Sequence, residues 1–182
     1  SPYEIWIAEV MLQQTQLKVV LRYWKKWMIT FPDLEELSKA DGQEVLLVWQ
    51  GLGYYSRAKR LHQSSKILKT LLGNHNSSDF FNWPVELDQW IALPGVGRST
   101  AGSIISSAFD LPLPILDGNV KRILSRLIAS DKSPMNNVKR LWSLSEQLVP
   151  SDNPRDFNQA LMDLGALVCT VQNPKCSLCP IR

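Results

Sequence analysis

The sequence predicts an all-α protein. Apolar residues recur three and four positions apart along most of the 182 residues, and no stretch alternates in the way that a half-buried strand does. Helix-start signals recur as well. The opening "SPYE" combines an N-cap Ser1, Pro2 at the first helical position and Glu4, which completes a capping box. Frequent glycine and proline divide the rest, so we expect about ten short helices joined by tight turns.

The predicted helices follow in order, and each is bounded by a capping residue, a glycine or a proline. Asp41 and Glu44 repeat the capping pattern of the first helix, and Gly73 ends the long fifth helix as a C′ residue. The segment "NHNSSDFFN", 74–82, is expected to be a loop. The helices are expected at about 1–13, 15–30, a short stretch after Pro32, 41–50, 56–72, 84–92, 98–109, 118–129, 136–149 and 154–168.

The densest interruption of the helical pattern is "DLPLPILDG", which holds two prolines and a glycine. Prolines and glycines at this density are typical of a connection rather than of a helix. We therefore expect two lobes, 1–113 and 114–182.

Composition narrows the function classes. Apolar residues at 45% and charged residues at 20% are ordinary for a globular protein, and the net charge of +3 is compatible with nucleic acid without requiring it. Apolar runs such as "IWIA" are far too short to span a membrane, and we expect no export signal at the start. Three clustered thiols favour a reducing compartment.

The segment "LPGVGRSTAGSI", 93–104, predicts a tight turn between two helices. Gly95 and Gly97 flank Val96, and the second helix is expected to begin near Arg98. Such a turn presents main-chain N–H groups at a helix N-terminus, which suits a DNA phosphate. A plain helix–helix corner, with glycines chosen for positive φ, is the alternative.

Two carboxylates stand out from their surroundings. Glu9 lies in the apolar helix "IWIAEVML" and shares a stripe with Ile5, Ala8 and Leu12. It is either a paired structural residue or a partly desolvated acid beside a cleft, since desolvation raises the pKa of a carboxyl group. Asp117 stands at an N-cap position in "PILDGNVKRIL", so it is either a cap alone or also a group that stabilises a cation or acts as nucleophile or base.

All three cysteines lie near the end of the chain, in the pattern C-x6-C-x2-C followed by proline. This spacing favours iron–sulfur ligation over the paired C-x2-C pattern of zinc sites, and zinc remains the alternative. The odd count suits neither a closed disulfide framework nor a complete four-thiolate site. His62 and His75 are distant in the chain and make poor fourth ligands.

Six motifs, in order and along the whole chain, carry a family resemblance: "AEVMLQQTQ", "GLGYYSRA", "LPGVGRSTAG", "ILDGNVKR", "FNQALMDLGA" and the cysteine spacing. Together they resemble the endonuclease III-like family of helix-hairpin-helix DNA glycosylases, and within it the MutY-type adenine DNA glycosylases. The resemblance implies a six-helix barrel lobe with the helix-hairpin-helix at about 90–109, an iron–sulfur lobe, and a DNA-binding cleft.

The resemblance also implies a cofactor, a partner and a location. Cys169, Cys176 and Cys179 are expected to ligate a [4Fe–4S] cluster, with a fourth Cys just beyond Arg182. The chain is therefore expected to be a truncated catalytic core that lacks an upstream segment and a C-terminal domain reading 8-oxoguanine. The expected partner of the monomer is double-stranded DNA with an A:8-oxoguanine or A:G mispair. The protein is expected in the cytoplasm or at the nucleoid of a bacterium, or in the nucleus or mitochondria of a eukaryote, and on no membrane.

Residue roles follow from the same resemblance. Glu9 is expected to protonate the adenine at N7 and later to help activate water. Asp117 is expected to stabilise the sugar cation, directly or through a covalent intermediate, and Asn119 to support it. The base pocket is expected to include Leu12, Ser99 and Gln159, and the DNA contacts to come from Gln14, Leu52, Tyr54, Leu93, Gly95, Val96, Gly97 and Lys121.

One position separates the activities within the family. Endonuclease III-type lyases carry a lysine nucleophile two residues after the second glycine of the hairpin, where this sequence has Ser99. Serine forms no Schiff base with the sugar, so we expect a glycosylase with little strand cleavage. Lys121 could give adventitious trapping, and we expect no catalytic role for it. The alternatives are a bifunctional glycosylase and lyase for oxidised pyrimidines, and a helix-hairpin-helix DNA-binding module without catalysis.

Overall fold

The computed structural model describes residues 1–73 and 80–182, so most of the loop expected at 74–82, and His75 with it, lies outside the described residues. The described residues contain ten α-helices and no β-strand, which confirms the all-α prediction. The helices are α1 (Pro2–Leu12), α2 (Leu17–Thr30), α3 (Leu34–Lys39), α4 (Gly42–Trp49), α5 (Tyr55–Leu72), α6 (Leu87–Ile91), α7 (Arg98–Phe109), α8 (Gly118–Leu127), α9 (Val138–Leu148) and α10 (Pro154–Asp163).

Several helix boundaries differ from the prediction by a few residues, and those of α2, α6 and α10 differ for local backbone reasons. Helix α2 begins at Leu17 rather than near Thr15. The left-handed φ of Gln14, 57°, breaks the helical backbone between α1 and α2, so the second helix starts only after an extended Gln16. Helix α6 begins at Leu87, after an extended Glu86, rather than at residue 84. Helix α10 ends at Asp163, and its expected last turn is instead a π-helical turn, Leu164–Val168.

The chain divides into two compact units, Ser1–Ile104 and Ile105–Arg182. This division falls within α7, whereas the proline-rich segment follows that helix. Assignment of the lobes to 1–113 and 114–182 stays a prediction.

Tryptophan fills the core of the first unit. Trp6, Trp27, Trp49 and Trp90 are completely buried. The rings of Trp27 and Trp49 meet edge to face, with centroids 5.6 Å apart. This arrangement adds quadrupolar attraction to the area that these large side chains bury.

In the second unit, polar contacts fix the extended segment that leads into α8. Ile115, Leu116, Val120, Leu124 and Leu141 form the apolar core. The Ser145 hydroxyl donates to the Ile115 carbonyl at 2.7 Å, and the buried Asn158 amide donates to the Leu113 carbonyl at 2.9 Å. These buried hydrogen bonds hold the residues just before Asp117 in place. Of the helices in the described part of the chain, none is long and apolar enough to cross a membrane.

Candidate active site

Glu9 lies on the less buried face of α1. The helix starts as predicted, with the Ser1 cap, Pro2 and the Glu4 capping box all present. Most of its side chains are buried, Trp6 and Met11 among them, but the predicted stripe is half-buried throughout. That stripe consists of Ile5, Ala8, Glu9 and Leu12. A carboxylate on an otherwise apolar, partly accessible face is well suited to meet a ligand.

The turn after α1 contacts the glycine turn. The Gln13 side-chain amide donates to the Gly95 carbonyl at 3.3 Å and to the Thr100 hydroxyl at 3.4 Å. Gln14, the next residue, is exposed and has the left-handed φ of 57°. Gln14 was among the predicted site residues, whereas Gln13, which precedes it in the motif "MLQQTQ", was not.

The turn between α6 and α7 has the predicted geometry. Gly95 has a φ of 82°, and the Val96 N–H donates to the Leu93 carbonyl at 3.1 Å. The side chains of Leu93 and Val96 are buried, so DNA contacts at these positions have to use the main chain. A Cβ at Gly95 would lie 3.1 Å from Cδ of Arg60, which makes glycine doubly suited to this position. Ser99 is half-buried in the first turn of α7.

The segment before α5 presents one predicted DNA contact and buries another. Tyr54 is 61% exposed and has a left-handed φ of 48°, whereas Leu52 is 5% exposed. Leu52 is therefore part of the core, whereas the Tyr54 side chain is accessible to a ligand. The Arg57 guanidinium lies 5.2 Å from the centroid of the Tyr54 ring. Such a cation–π contact orients the ring.

Arg57 is the principal site residue that sequence reasoning missed. It is 8% exposed and donates to the carbonyls of Val10, Met11 and Gln13 at 3.1, 2.9 and 2.6 Å. Burial lowers the pKa of its guanidinium from the ordinary value. In the sequence Arg57 is one more basic residue in "SRAKR", and nothing local distinguishes it from its exposed neighbours.

Asp117 caps α8 as predicted. Its Oδ1 accepts from the Val120 N–H at 2.7 Å, and the side chain is half-buried. Lys121 follows one turn later and is half-buried as well. The cap fixes the rotamer of the carboxylate.

Asn119 connects the start of α8 with the end of α10. Its Oδ1 accepts from Nη2 of Arg122 at 2.9 Å, and the same Nη2 donates to the Gly165 carbonyl at 2.7 Å. A Cβ at Gly165 would lie 2.6 Å from the Asn119 Cβ, so only glycine permits this approach. Gln159 is exposed on α10, where its amide donates to Asp163 at 2.9 Å.

The cysteine loop is attached to α8 by two arginines one turn apart. Nε of Arg122 donates to the Cys169 carbonyl at 2.7 Å, and Nη1 of Arg126 donates to the Cys169 Sγ at 3.3 Å. Arg126 also donates to the Thr170 and Val171 carbonyls. Arg122 and Arg126 are four residues apart in "KRILSR", and residues at this spacing share a helix face. This spacing could have predicted that the two arginines act together.

The three cysteines line one cavity. Cys169, Cys176 and Cys179 are free thiols around a space of about 420 Å³. Among the residues that the structure describes, no three His, Cys, Asp or Glu side chains are grouped closely enough to hold a single metal ion. The thiols thus surround a volume rather than converge on a point.

Comparison with known proteins identifies the family. The family model described as HhH-GPD superfamily base excision DNA repair protein matches residues 7–147, which include Glu9, the glycine turn and Asp117. The chain belongs to the HhH-GPD superfamily. The matched residues include α6, the turn containing Gly95, and α7.

Relatives within the superfamily are similar along the whole chain. An adenine DNA glycosylase of Mus musculus is 46% identical over 182 residues, covering 99% of this chain and 34% of the relative. One of Buchnera aphidicola subsp. Baizongia pistaciae is 42% identical, covering 100% of this chain and 50% of the relative. The chain thus spans half or less of the length of these relatives.

Solved structures share the fold. A thermostable thymine-DNA glycosylase superimposes with a TM-score of 0.84 at 29% identity, covering 100% of this chain and 81% of the other. A non-covalent endonuclease III–DNA complex gives a TM-score of 0.80 at 24% identity, with the same coverage. The endonuclease III-like fold implied by the motifs is therefore confirmed.

Proposed function

We propose that the protein is a monofunctional adenine DNA glycosylase of base excision repair. It acts as a monomer on double-stranded DNA and releases adenine mispaired with 8-oxoguanine or guanine. The observation that supports this most is the similarity to adenine DNA glycosylases of bacteria and mammals over the full chain. Activity on DNA puts the protein at the nucleoid of a bacterium, or in the nucleus or mitochondria of a eukaryote.

The adenine has to leave the base stack before any side chain can reach it. Unstacking and unpairing a nucleotide costs about a few kcal/mol. In the proposal, Gln14 and Tyr54 enter the duplex and fill the space of the extruded base. Their exposure supports this role, as does the left-handed backbone that presents each of them. The hairpin N–H groups at Gly95 and Gly97 grip a phosphate of the same strand.

Glu9 is the proposed general acid and later the general base. Adenine is a poor leaving group as an anion, so a proton from Glu9 to N7 lets it depart neutral with the electron pair of the C1′–N9 bond. The Glu9 carboxylate then takes a proton from the water that attacks C1′. In the proposal, the half-buried apolar face of α1 and Leu12 form part of the pocket, with Ser99 and Gln159.

Asp117 is the proposed stabiliser of the sugar. Loss of adenine leaves positive charge on the deoxyribose ring, and a fixed carboxylate lowers the barrier to C1′–N9 cleavage electrostatically. The hydrogen bond from the Val120 N–H supports this role because it pre-orients the group. Asn119, in the first turn of α8, is proposed to support Asp117 and is itself held by Arg122 and Gly165.

We further propose that Cys169, Cys176 and Cys179 ligate a [4Fe–4S] cluster. Their arrangement around a cavity of about 420 Å³ fits a group whose metal atoms are bound at separate corners better than a single zinc ion. The contact of Arg126 with the Cys169 Sγ holds the first of the three cysteines at the cavity. When bound, the cluster supplies structural support for the loop, and the chemistry stays with Glu9 and Asp117.

Borohydride trapping tests the monofunctional assignment. Ser99 stands where a lyase needs an amine nucleophile, so incubation with an abasic duplex and borohydride should give little covalent complex. Any complex that forms through Lys121 should disappear in Lys121→Ala. Efficient trapping that survives Lys121→Ala would contradict the assignment and favour the bifunctional alternative.

A further inference from the structure

The strongest unassigned feature of the molecule is the contact set of Arg57. Its two Nη groups donate to six acceptors: the carbonyls of Val10, Met11, Gln13, Leu52 and Gly53 and the Thr15 hydroxyl. None of these acceptors carries a charge, and the buried Nε of Arg57 has no hydrogen-bond partner among the described residues, so neutral groups hold the buried cation through its two Nη groups. Arginine can do this because its planar fork presents several N–H donors in fixed directions.

The acceptors come from two separate segments, and each presents a residue that is proposed to enter DNA. Val10, Met11, Gln13 and Thr15 surround the end of α1 and lead to Gln14. On the other side, Leu52 and Gly53 lead to Tyr54. In the described residues no main-chain hydrogen bond joins 10–16 to 49–54 directly. The guanidinium is the polar connection between them.

Both presented residues have backbone conformations that need support. Gln14 and Tyr54 have φ values of 57° and 48°, in the left-handed region that side chains other than glycine rarely adopt. Such conformations persist only where the surrounding contacts hold them. Arg57 bonds the residue before Gln14 and the one after it, and its charge lies 5.2 Å from the Tyr54 ring. It also lies 5.4 Å from the Trp49 ring, which anchors the guanidinium in the core.

We propose that Arg57 is a positioning residue for base extrusion: it fixes Gln14 and Tyr54 together, in the left-handed conformations from which both enter the duplex. The proposal rests on the proposed function, because it acts through the two side chains that offset the cost of extrusion. Arg57 touches neither the adenine nor the sugar in this account. Loss of the Arg57 side chain should therefore slow the reaction when Gln14 and Tyr54 are present, because it misplaces them, and should have little effect when both have been removed.

A double-mutant cycle in the full chain tests this inference. Arg57→Lys keeps the charge and loses the fork, and it is made both alone and together with Gln14→Ala and Tyr54→Ala. The readout is the single-turnover rate of adenine release from an A:8-oxoguanine duplex, with 2-aminopurine fluorescence to follow unstacking. Alone, Arg57→Lys should slow release and unstacking by about tenfold or more, since small misplacements carry large costs. In the Gln14→Ala, Tyr54→Ala background it should cost less than about twofold, because coupled sites are not additive.

Two further variants keep the test independent of folding. Lys59→Met removes an exposed charge from the same helix and should leave both readouts unchanged. Thr15→Val removes one acceptor of Arg57 and leaves the guanidinium in place. If Arg57→Lys does not fold, Thr15→Val replaces it in the double-mutant cycle, with a smaller expected loss of rate.

The outcomes separate the two proposals. Equal losses in both backgrounds, or a folded Arg57→Lys with wild-type rates, would overturn the role of Arg57 and leave the proposed function intact. Absence of adenine release by the unsubstituted protein would overturn the proposed function and the inference with it.

Discussion

Asp117 combines a structural contact and a proposed chemical one in a single side chain. One carboxylate oxygen accepts from the Val120 N–H and caps α8. The capping interpretation made from the sequence is thus confirmed, and it does not exclude the catalytic one. An asparagine caps a helix about as well as an aspartate but carries no charge. The two roles can therefore be separated by substitution.

The expected result for Asp117→Asn is a stable protein that binds the mispaired duplex and releases adenine at least about a hundredfold more slowly, because the charge that stabilises the sugar cation is gone. Asp117→Ala should lose the rate and also about 1 kcal/mol of unfolding free energy, because the cap is lost. Denaturant unfolding and single-turnover kinetics measure the two effects. An Asn variant that releases adenine at the wild-type rate would show that Asp117 is a cap alone.

Site residues could be predicted from the sequence where their neighbours in the chain are unusual for them, and could not where their contacts are with residues far away in the chain. Glu9 is conspicuous because it interrupts an apolar helix, and Asp117 because it stands at a cap position. Arg57 and Arg122 resemble ordinary exposed cations in the sequence. Their partners lie about 45 residues away, with Gln13 44 residues from Arg57 and Cys169 47 residues from Arg122. Local patterns carry no information on such contacts.

Among the elements, the helices were predictable where capping and periodicity agree. The start of α1 is an example, since the Ser1, Pro2 and Glu4 pattern forms as expected. The prediction was wrong where an unusual backbone intervenes: at the left-handed Gln14, and at the π-helical turn that replaces the end of α10. In that turn Gly165 packs closely against Asn119. The spacing of apolar residues along the sequence gives no information on such a contact.

Helix α1 is attached to α2 by a buried tyrosine whose titration gives a test. The Tyr3 hydroxyl donates to the Phe31 carbonyl at 2.7 Å and accepts from the Trp27 indole at 3.2 Å. Burial raises the pKa of Tyr3 far above its ordinary value of 10.0. A raised folded-state pKa means that the folded protein retains a proton that the unfolded chain releases.

The free energy of unfolding should therefore fall as the pH rises above 10, where the unfolded chain ionises first. The contribution of Tyr3 is a slope of up to about 1.4 kcal/mol per pH unit, and it is absent below pH 10. Tyr3→Phe is the matched control, because it lacks the ionisable hydroxyl and should show the shallower alkaline slope. Urea unfolding between pH 8 and about 11.5 measures both proteins. Identical slopes would contradict the assignment of this effect to Tyr3.

At the scale of the whole molecule, the motifs predicted the family correctly, and the fold came with it. The superfamily match from residue 7 to residue 147 and the endonuclease III-like neighbours confirm both. The division of the chain into units within α7 depends on packing and was not readable from the proline-rich segment alone. The roles of Glu9 and Asp117 remain proposals that only chemistry can test.

The central claim is that Glu9 delivers the proton that lets adenine leave. The most direct measurement is single-turnover release of adenine from an A:8-oxoguanine duplex by the full chain and by Glu9→Gln, with DNA binding measured in parallel. Because glutamine cannot donate the proton, Glu9→Gln should bind the duplex and lose at least about a hundredfold in rate. Release by Glu9→Gln at the wild-type rate would contradict the account.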